Sequence, residues 1–177
     1  MSRYRRARSP GSTFFFTVTL ADRSSRALVD EIDKLRAAYR SVARERPFNT
    51  IAICVLPDHI HARWQLPEDD GDFSMRWNLI KGGFSRGFEA SPAVPSKSRK
   101  REKGIWQRRF WEHEIRDDAD LERHVDYLHY NPVKHGLVSR VADWTHSSFH
   151  RYVKSGMLPM DWGGVAAAPE ANFGERN

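Results

Sequence analysis

The chain has 177 residues, a length that suits one domain built around a single hydrophobic core. Lys and Arg number 29 against 23 Asp and Glu, and the net charge of +6 favours a polyanionic partner such as nucleic acid. With 29% charged residues and no apolar run of bilayer length, the composition argues against a membrane protein. Cys54 is the only cysteine, which excludes an internal disulfide or a multi-cysteine zinc site and leads us to expect a reducing compartment, the cytoplasm.

The first half of the chain predicts two strands and a helix. A basic arm, residues 1–10, ends at the Pro10-Gly11 turn signal. Residues 13–20 alternate aromatic and β-branched side chains and predict a strand. Residues 26–46 carry apolar side chains at helical spacing and predict one amphipathic helix. Residues 51–56 are almost continuously apolar, which predicts a central strand covered on both faces.

The most informative strand is predicted over residues 59–66, where polar and apolar side chains alternate strictly. Period two puts His59, His61 and Arg63 on one face. A helix is predicted over residues 73–88, and residues 90–104 are predicted to form a basic loop.

The second half predicts a short strand at the end of residues 105–116 and then a clear helix. That helix has Asp117 or Asp118 as its N-cap and is expected to end before Pro132. A short element is predicted at residues 147–153, whereas the tail, residues 163–177, lacks a core pattern and is expected to be flexible. The alternative is a tail that folds over the functional site as an inhibitor. Residues 11–162 therefore predict a single α/β domain, with a mostly antiparallel sheet of four or five strands and helices on its faces.

Two pairs of side chains are candidates for a metal-binding or catalytic site. His59 and His61 project from one face of a predicted strand, so both imidazoles can reach one ion. Tyr127 and Asn131 are one turn apart on the predicted helix and are therefore neighbours in space. Spacing alone also allows two partly exposed sheet histidines, a packing tyrosine and a helix-capping asparagine.

The residues around these pairs resemble a known family. The run from Pro57 to His61 resembles the histidine-hydrophobe-histidine (HUH) motif, and the run from Tyr127 to Leu137 resembles the tyrosine motif of single-tyrosine HUH transposases. The similarity is to the branch of REP-associated tyrosine transposases, and it covers about residues 5–162 in order. Asn131 departs from the insertion-sequence relatives, which usually have Gln at that position, and agrees with the REP-associated branch. The basic loop at residues 90–103 is longer than is usual for the branch.

The resemblance implies a ferredoxin-like HUH endonuclease fold and a metal-dependent reaction on single-stranded DNA. It implies that His59, His61 and Asn131 hold one Mg²⁺ or Mn²⁺, of which nitrogen ligands favour Mn²⁺. Tyr127 would attack the phosphorus and form a 5′-phosphotyrosine, and a second strand's 3′-hydroxyl would reverse the attack, so that the same residues cleave and join.

The implied substrate is single-stranded DNA that carries a repetitive extragenic palindrome (REP) hairpin, at the bacterial nucleoid, with no small-molecule substrate. The branch favours a monomer, with a dimer as the alternative.

DNA contacts are expected where cations adjoin aromatic rings, because phosphates attract charge and unstacked bases stack on flat rings. Alternatives are a solubilising tail for the arm and a solvated strand charge for Arg63. The residues that we expect to contact DNA are Arg3, Arg5, Arg6, Arg8, Arg63, Trp106, Arg108 and Arg109.

Other assignments remain open. His124, one turn before Tyr127, could accept the phenolic proton or be an ordinary surface histidine. Glu112 and Glu114 rank below Asn131 as metal ligands. Two other functions compete with the transposase: a hairpin-binding protein that has lost catalysis, and a metal-dependent nuclease in which water attacks the phosphate.

Overall fold

A computed structural model describes residues 9–89, 103–163 and 173–175. Most of the predicted basic arm and most of the predicted basic loop lie outside the described residues. The expected DNA contacts of Arg3, Arg5, Arg6 and Arg8 fall there as well.

The described residues form a four-stranded sheet and five helices. The strands are β1 (Thr13–Thr19), β2 (Asn49–Val55), β3 (His59–Gln65) and β4 (Trp111–Glu114). The helices are α1 (Ala27–Asp30), α2 (Ile32–Glu45), α3 (Phe73–Ser85), α4 (Asp118–Lys134) and α5 (Phe149–Lys154), with a short 3₁₀ turn at Val141–Asp143. The single helix predicted over residues 26–46 is divided in two at Glu31.

The sheet is antiparallel with the strand order β2-β3-β1-β4, which confirms the predicted α/β class and strand count. The prediction that β2 is a central strand is wrong, because β2 lies at the edge of the sheet. Its outer edge is covered by a loop, in which the N–H of Ser148 donates to Ile53 O at 2.7 Å and the N–H of Val55 donates to His146 O at 2.8 Å. This cover explains why an edge strand can be almost entirely apolar.

The sheet separates two apolar layers. On one side Trp64 and Trp77 stack in a core with residues of α2 and α3. On the other side Phe15 and Leu128 pack in a second core with residues of α4 and α5. The histidine face of β3 points into this second layer, because His61 is the register partner of Thr17 and Cys54, both of which are buried there.

Helix α4 begins after its N-cap Asp117, as predicted, but it continues through Pro132 to Lys134. The prediction that it ends before Pro132 is wrong. Proline removes one hydrogen bond from a helix, but here it lies in the last turn, which is closed by the N–H of His135 on Asn131 O at 3.0 Å. Residues beyond Pro132 therefore share the orientation of the helix. None of the helices in the described part of the chain has the length and apolar character needed to cross a bilayer.

Candidate active site

The two histidines of β3 point toward α4 and are almost completely buried, with exposed fractions of 1% for His59 and 0% for His61. Their ring centroids are 4.8 Å apart. His59 Nδ1 donates to Asp58 Oδ1 at 2.8 Å, and Asp58 also pairs with Arg23 at 2.6 Å. This carboxylate holds the ring so that its second nitrogen, Nε2, faces the site, an orientation typical of metal-binding histidines.

Helix α4 supplies the other half of the site. Tyr127, Asn131 and Lys134 are spaced i, i+4 and i+7 and therefore share one face. The Tyr127 ring lies 5.4 Å from the His61 ring, and both Tyr127 and Asn131 are buried. Lys134 Nζ donates to the Tyr127 hydroxyl oxygen at 2.9 Å. The structure thus brings together all four residues that the sequence predicted for the centre of the site.

The C-terminal tail enters this site. Glu175 Oε1 lies 2.7 Å from His61 Nε2 and accepts from Asn131 Nδ2 at 2.7 Å. Glu175 Oε2 accepts from Lys134 Nζ at 2.9 Å and lies 3.2 Å from His135 Nε2. Residues 173–175 belong to the tail that was expected to be flexible, and in the structure they pack against the histidines of β3 and against Tyr127 and Asn131 of α4.

The residues before Glu175 explain how the tail approaches so closely. The Phe173 ring lies 4.1 Å from the His124 ring and 4.8 Å from the Tyr127 ring. Gly174 has φ of 77°, and a Cβ atom at this position would come within 2.5 Å of the side chain of Trp111. Only glycine fits both the left-handed conformation and the contact.

The polar atoms of the site fit a cation. His59 Nε2 and Asn131 Oδ1 are buried and find no hydrogen-bond partner among the described residues. The Thr17 hydroxyl donates to Phe173 O at 2.6 Å, so its oxygen accepts from His61 Nδ1 at 3.0 Å, and the lone pair is left on His61 Nε2. That lone pair faces a carboxylate oxygen of Glu175, an arrangement that a positive ion would stabilise.

Three residues whose ligand atoms converge in this way are His59, His61 and Glu175. The Asn131 amide would have to turn its oxygen inward to join them, because Nδ2 is the atom directed at Glu175. The donor set of imidazole nitrogens and oxygens is compatible with Mn²⁺.

Burial and charge shift the ionisation of these groups in different directions. Burial lowers the pKa of His61 to about 4, so its ring is neutral. Burial also acts on His59, but its hydrogen bond to Asp58 and the negative charges of Asp58 and Glu175 outweigh that effect and raise the pKa. Burial and the neighbouring Glu175 carboxylate raise the pKa of Tyr127. Burial alone would raise the pKa of Glu175, but the surrounding histidines lower it and keep the carboxylate charged.

The structure does not support His124 as the proton acceptor for Tyr127. His124 Nδ1 bonds to Asp120 O at 2.7 Å, and Lys134 contacts the phenol instead. His113, Asp120 and His124 form a compact second cluster, but the two imidazole rings stack at 4.8 Å with an interplanar angle of 12°. Lone pairs in parallel planes do not converge on one ion, so this cluster is a hydrogen-bonded contact between β4 and the first turns of α4.

Other predicted residues also lie away from the site. Glu112 and Glu114 pair with Phe16 and Phe14 and therefore face the opposite side of the sheet from the histidines, so they are not ligands of this site. Glu114 instead accepts from the Ser12 hydroxyl at 2.7 Å.

The expected DNA contacts divide into accessible and inaccessible residues. Arg63 is 1% exposed and Trp106 is 8% exposed, so two of the residues that we expected to contact DNA are buried in the structure. The Trp106 indole packs in the core and donates to Ser85 Oγ at 3.1 Å, so it offers no free face to a base. Arg108 and Arg109 are exposed.

Lys134, His135 and Glu175 are the functional candidates that sequence reasoning missed. Extending the helical stripe by one more turn beyond Asn131 would have found Lys134, but the helix was expected to end at Pro132. Nothing in the sequence marks Glu175, an isolated acid in a segment without periodicity.

A strand that presents two imidazoles and a helix that presents one phenol and one amide define the class of single-tyrosine HUH transposases. No protein-family profile matches the sequence. The chain is 51% identical over 166 residues to a protein of Haemophilus influenzae, with 93% of this chain and 94% of the relative covered. It is 48% identical over 164 residues to a REP-associated tyrosine transposase of Escherichia coli K12, with 93% and 92% covered. The H. influenzae protein carries the same name provisionally.

A solved structure agrees with these relatives. The structure of a REP-associated tyrosine transposase bound to a REP hairpin matches with a TM-score of 0.86 and 46% identity, and the match covers 100% of this chain and 99% of that one. The chain therefore belongs to the family of REP-associated tyrosine transposases, which are enzymes that act on DNA.

Proposed function

We propose that this protein cleaves and joins single-stranded DNA at REP-type hairpins through a covalent 5′-phosphotyrosine, with Mg²⁺ or Mn²⁺ as cofactor. The observation that carries the proposal is the meeting of Tyr127 from α4 with His59 and His61 from β3 at one buried point. A protein that only binds hairpins does not require a tyrosine hydroxyl next to two imidazoles that can bind a metal ion. The site of action would be the DNA of the bacterial nucleoid.

A divalent cation held by His59, His61 and Asn131 would polarise a non-bridging oxygen of the scissile phosphate. Tyr127 is the nucleophile. Its oxygen forms a bond to phosphorus, and the bond from phosphorus to the 3′-oxygen breaks. The 3′-oxygen takes the electron pair and a proton. Since the number of phosphodiester bonds is conserved, a 3′-hydroxyl can reverse the attack without an external energy source.

Glu175 must leave before this reaction. Its carboxylate oxygens occupy the space between the histidines, Asn131 and Lys134, where the scissile phosphate has to lie. Two anions cannot share that position. The cleft that leads to the site has a volume of about 550 Å³, and Arg23, His59, His135 and Glu175 line it.

A basic cleft is the best candidate for binding the DNA backbone outside the catalytic site. It has a volume of about 540 Å³ and lies at the C-terminal end of α3. The cationic side chains that line it are Lys81, Arg86, Lys103 and Arg108. The segment that forms one wall is attached to β1, since the N–H of Gln107 donates to Thr19 O at 2.9 Å and Thr19 is the register partner of His59.

The test is incubation with a labelled single-stranded REP palindrome and Mn²⁺, followed by a denaturing gel. We expect a covalent adduct with the wild type, no adduct with Tyr127→Phe, and an unchanged adduct with Tyr130→Phe, the matched control on the same helix. His61→Ala is expected to abolish cleavage and to leave hairpin affinity largely intact, because affinity depends on charges elsewhere.

Two outcomes would replace the proposal. Cleavage that persists in Tyr127→Phe and releases a free 5′-phosphate would indicate a nuclease that uses water. Hairpin binding without cleavage by any variant or divalent metal would indicate a binding protein.

A further inference from the structure

Lys134 contacts the nucleophile. It lies in the last turn of α4, seven residues after Tyr127, and 32% of its side chain is exposed. Its Nζ atom donates to the Tyr127 hydroxyl oxygen at 2.9 Å and to Glu175 Oε2 at 2.9 Å, and it lies 4.6 Å from the centroid of the Tyr127 ring.

We infer that Lys134 is a catalytic residue, whose ammonium stabilises the negative charge on the Tyr127 oxygen in both directions of the reaction. The inference rests on the proposed function. During cleavage the phenol oxygen must approach phosphorus as an electron-rich nucleophile. During joining the same oxygen departs as a phenolate. One positively charged hydrogen-bond donor at 2.9 Å assists both steps, because the charge develops on the same atom.

The bond changes balance without an additional reagent. The Tyr127 oxygen to phosphorus bond forms, the bond from phosphorus to the 3′-oxygen breaks, and that oxygen keeps the electron pair. The phenolic proton passes to water, and the 3′-oxygen takes a proton from water. Lys134 remains an ammonium throughout, and it acts through charge and hydrogen bonding alone.

A merely structural role for Lys134 would look different. A lysine near the C-terminus of a helix commonly stabilises the last carbonyl groups and the helix dipole. The hydrogen bonds of Lys134 go instead to Tyr127 and Glu175, on the face of α4 that Lys134 shares with Tyr127. When DNA displaces Glu175, the hydrogen bond that Lys134 now gives to the carboxylate becomes available to a phosphate oxygen.

The experiment must separate catalysis from tail release, because Lys134 also holds Glu175. Glu175→Ala is therefore used as the parent, and Lys134→Met, Lys134→Gln and Lys134→Arg are added to it. Adduct formation is followed in a single turnover with saturating labelled palindrome and Mn²⁺. The matched control is Lys34→Met on α2, where a lysine pairs with Glu31 at the same distance of 2.9 Å on the other side of the sheet.

We expect Lys134→Met and Lys134→Gln to slow adduct formation about 100-fold, the effect of removing one donor from a developing oxyanion. Lys134→Arg is expected to restore the rate to within about tenfold, since a guanidinium keeps the charge and the donor. Lys34→Met should match the parent. Mn²⁺ affinity should stay unchanged in all variants, and hairpin affinity should fall by no more than the loss of one phosphate contact, a result that a loss of structure would not give.

Three results would overturn the inference. One is a rate within about threefold of the parent in both neutral variants, which is less than 1 kcal/mol in the barrier. A second is failure of Lys134→Arg to restore the rate while both affinities are normal, which would indicate a neutral amine that accepts the proton. The third is absence of any adduct in the Glu175→Ala parent, which overturns the proposed function as well and is thereby distinguishable from the other two.

Discussion

Glu175→Gln should make the enzyme act at lower DNA concentrations. In the docked tail the carboxylate contacts His61, Asn131, Lys134 and His135 at 2.7 to 3.2 Å. Asn131, Lys134 and His135 give hydrogen bonds to the carboxylate, whereas His61 faces it with a lone pair. At a net value of about 1 kcal/mol for each hydrogen bond, the three bonds hold the tail with roughly 3 kcal/mol. Glutamine keeps the shape but removes the charge, and neutral hydrogen bonds have about half the strength of charge-assisted ones. The substitution should therefore weaken docking by about 1.5 kcal/mol, or about tenfold.

The assay is adduct formation as a function of hairpin concentration. Because the tail and the scissile phosphate compete for the same atoms, the half-saturating DNA concentration should fall about tenfold while the maximal rate stays constant. Mn²⁺ affinity without DNA should fall in the same variant, since Glu175 is one of three residues whose ligand atoms converge. Glu122→Gln, an exposed change of the same charge on α4, is the matched control.

Two results would refute this reasoning. An unchanged half-saturating concentration would mean that the tail does not occupy the site in solution. A change confined to the maximal rate would mean that Glu175 takes part in the chemistry instead of competing with DNA.

Three other changes test separate parts of the structure. Gly174→Ala should release the tail and lower the half-saturating DNA concentration as Glu175→Gln does, because a Cβ would come within 2.5 Å of Trp111 at a φ of 77°. Arg86→Gln combined with Arg108→Gln should reduce the salt dependence of hairpin binding by about one to two phosphate contacts, as measured by fluorescence anisotropy at several salt concentrations. Asp120→Asn should lower the free energy of unfolding at pH 7 by about 2 kcal/mol in urea titrations, since its hydrogen bonds outweigh burial and lower the pKa from 3.8 to about 2.

The pH dependence expected for Asp120→Asn follows from the lowered pKa of Asp120. The wild type keeps the contribution of Asp120 above about pH 4 and loses it as the pH falls through about 2, whereas Asp120→Asn should show no such loss. A parallel acid dependence in the two proteins would contradict the assignment. The control for the arginine pair is Arg40→Gln with Arg44→Gln on α2. An equal change in salt dependence in this control would exclude the cleft as the DNA-binding surface. A Gly174→Ala variant with unchanged DNA response would show that the tail accommodates a side chain.

Local periodicity was sufficient to predict the two halves of the site. Alternation on β3 places His59 and His61 on one face whatever the strand packs against, because successive residues point to opposite sides. Helical spacing likewise makes Tyr127 and Asn131 neighbours before any tertiary contact forms. These are properties of a single strand and a single helix, so they can be predicted from the order of residues along the chain.

Only the tertiary structure decided how the halves meet and what else joins them. The strand order put the apolar β2 at an edge, where a distant loop covers it. The packing of α4 carried the helix past Pro132 and so brought Lys134 to Tyr127. Glu175 reaches the histidines over a separation of more than a hundred residues, for which no local pattern exists. Such contacts depend on the position of whole elements, and the free energy that selects them is spread over many packed side chains instead of residing in any short stretch of sequence.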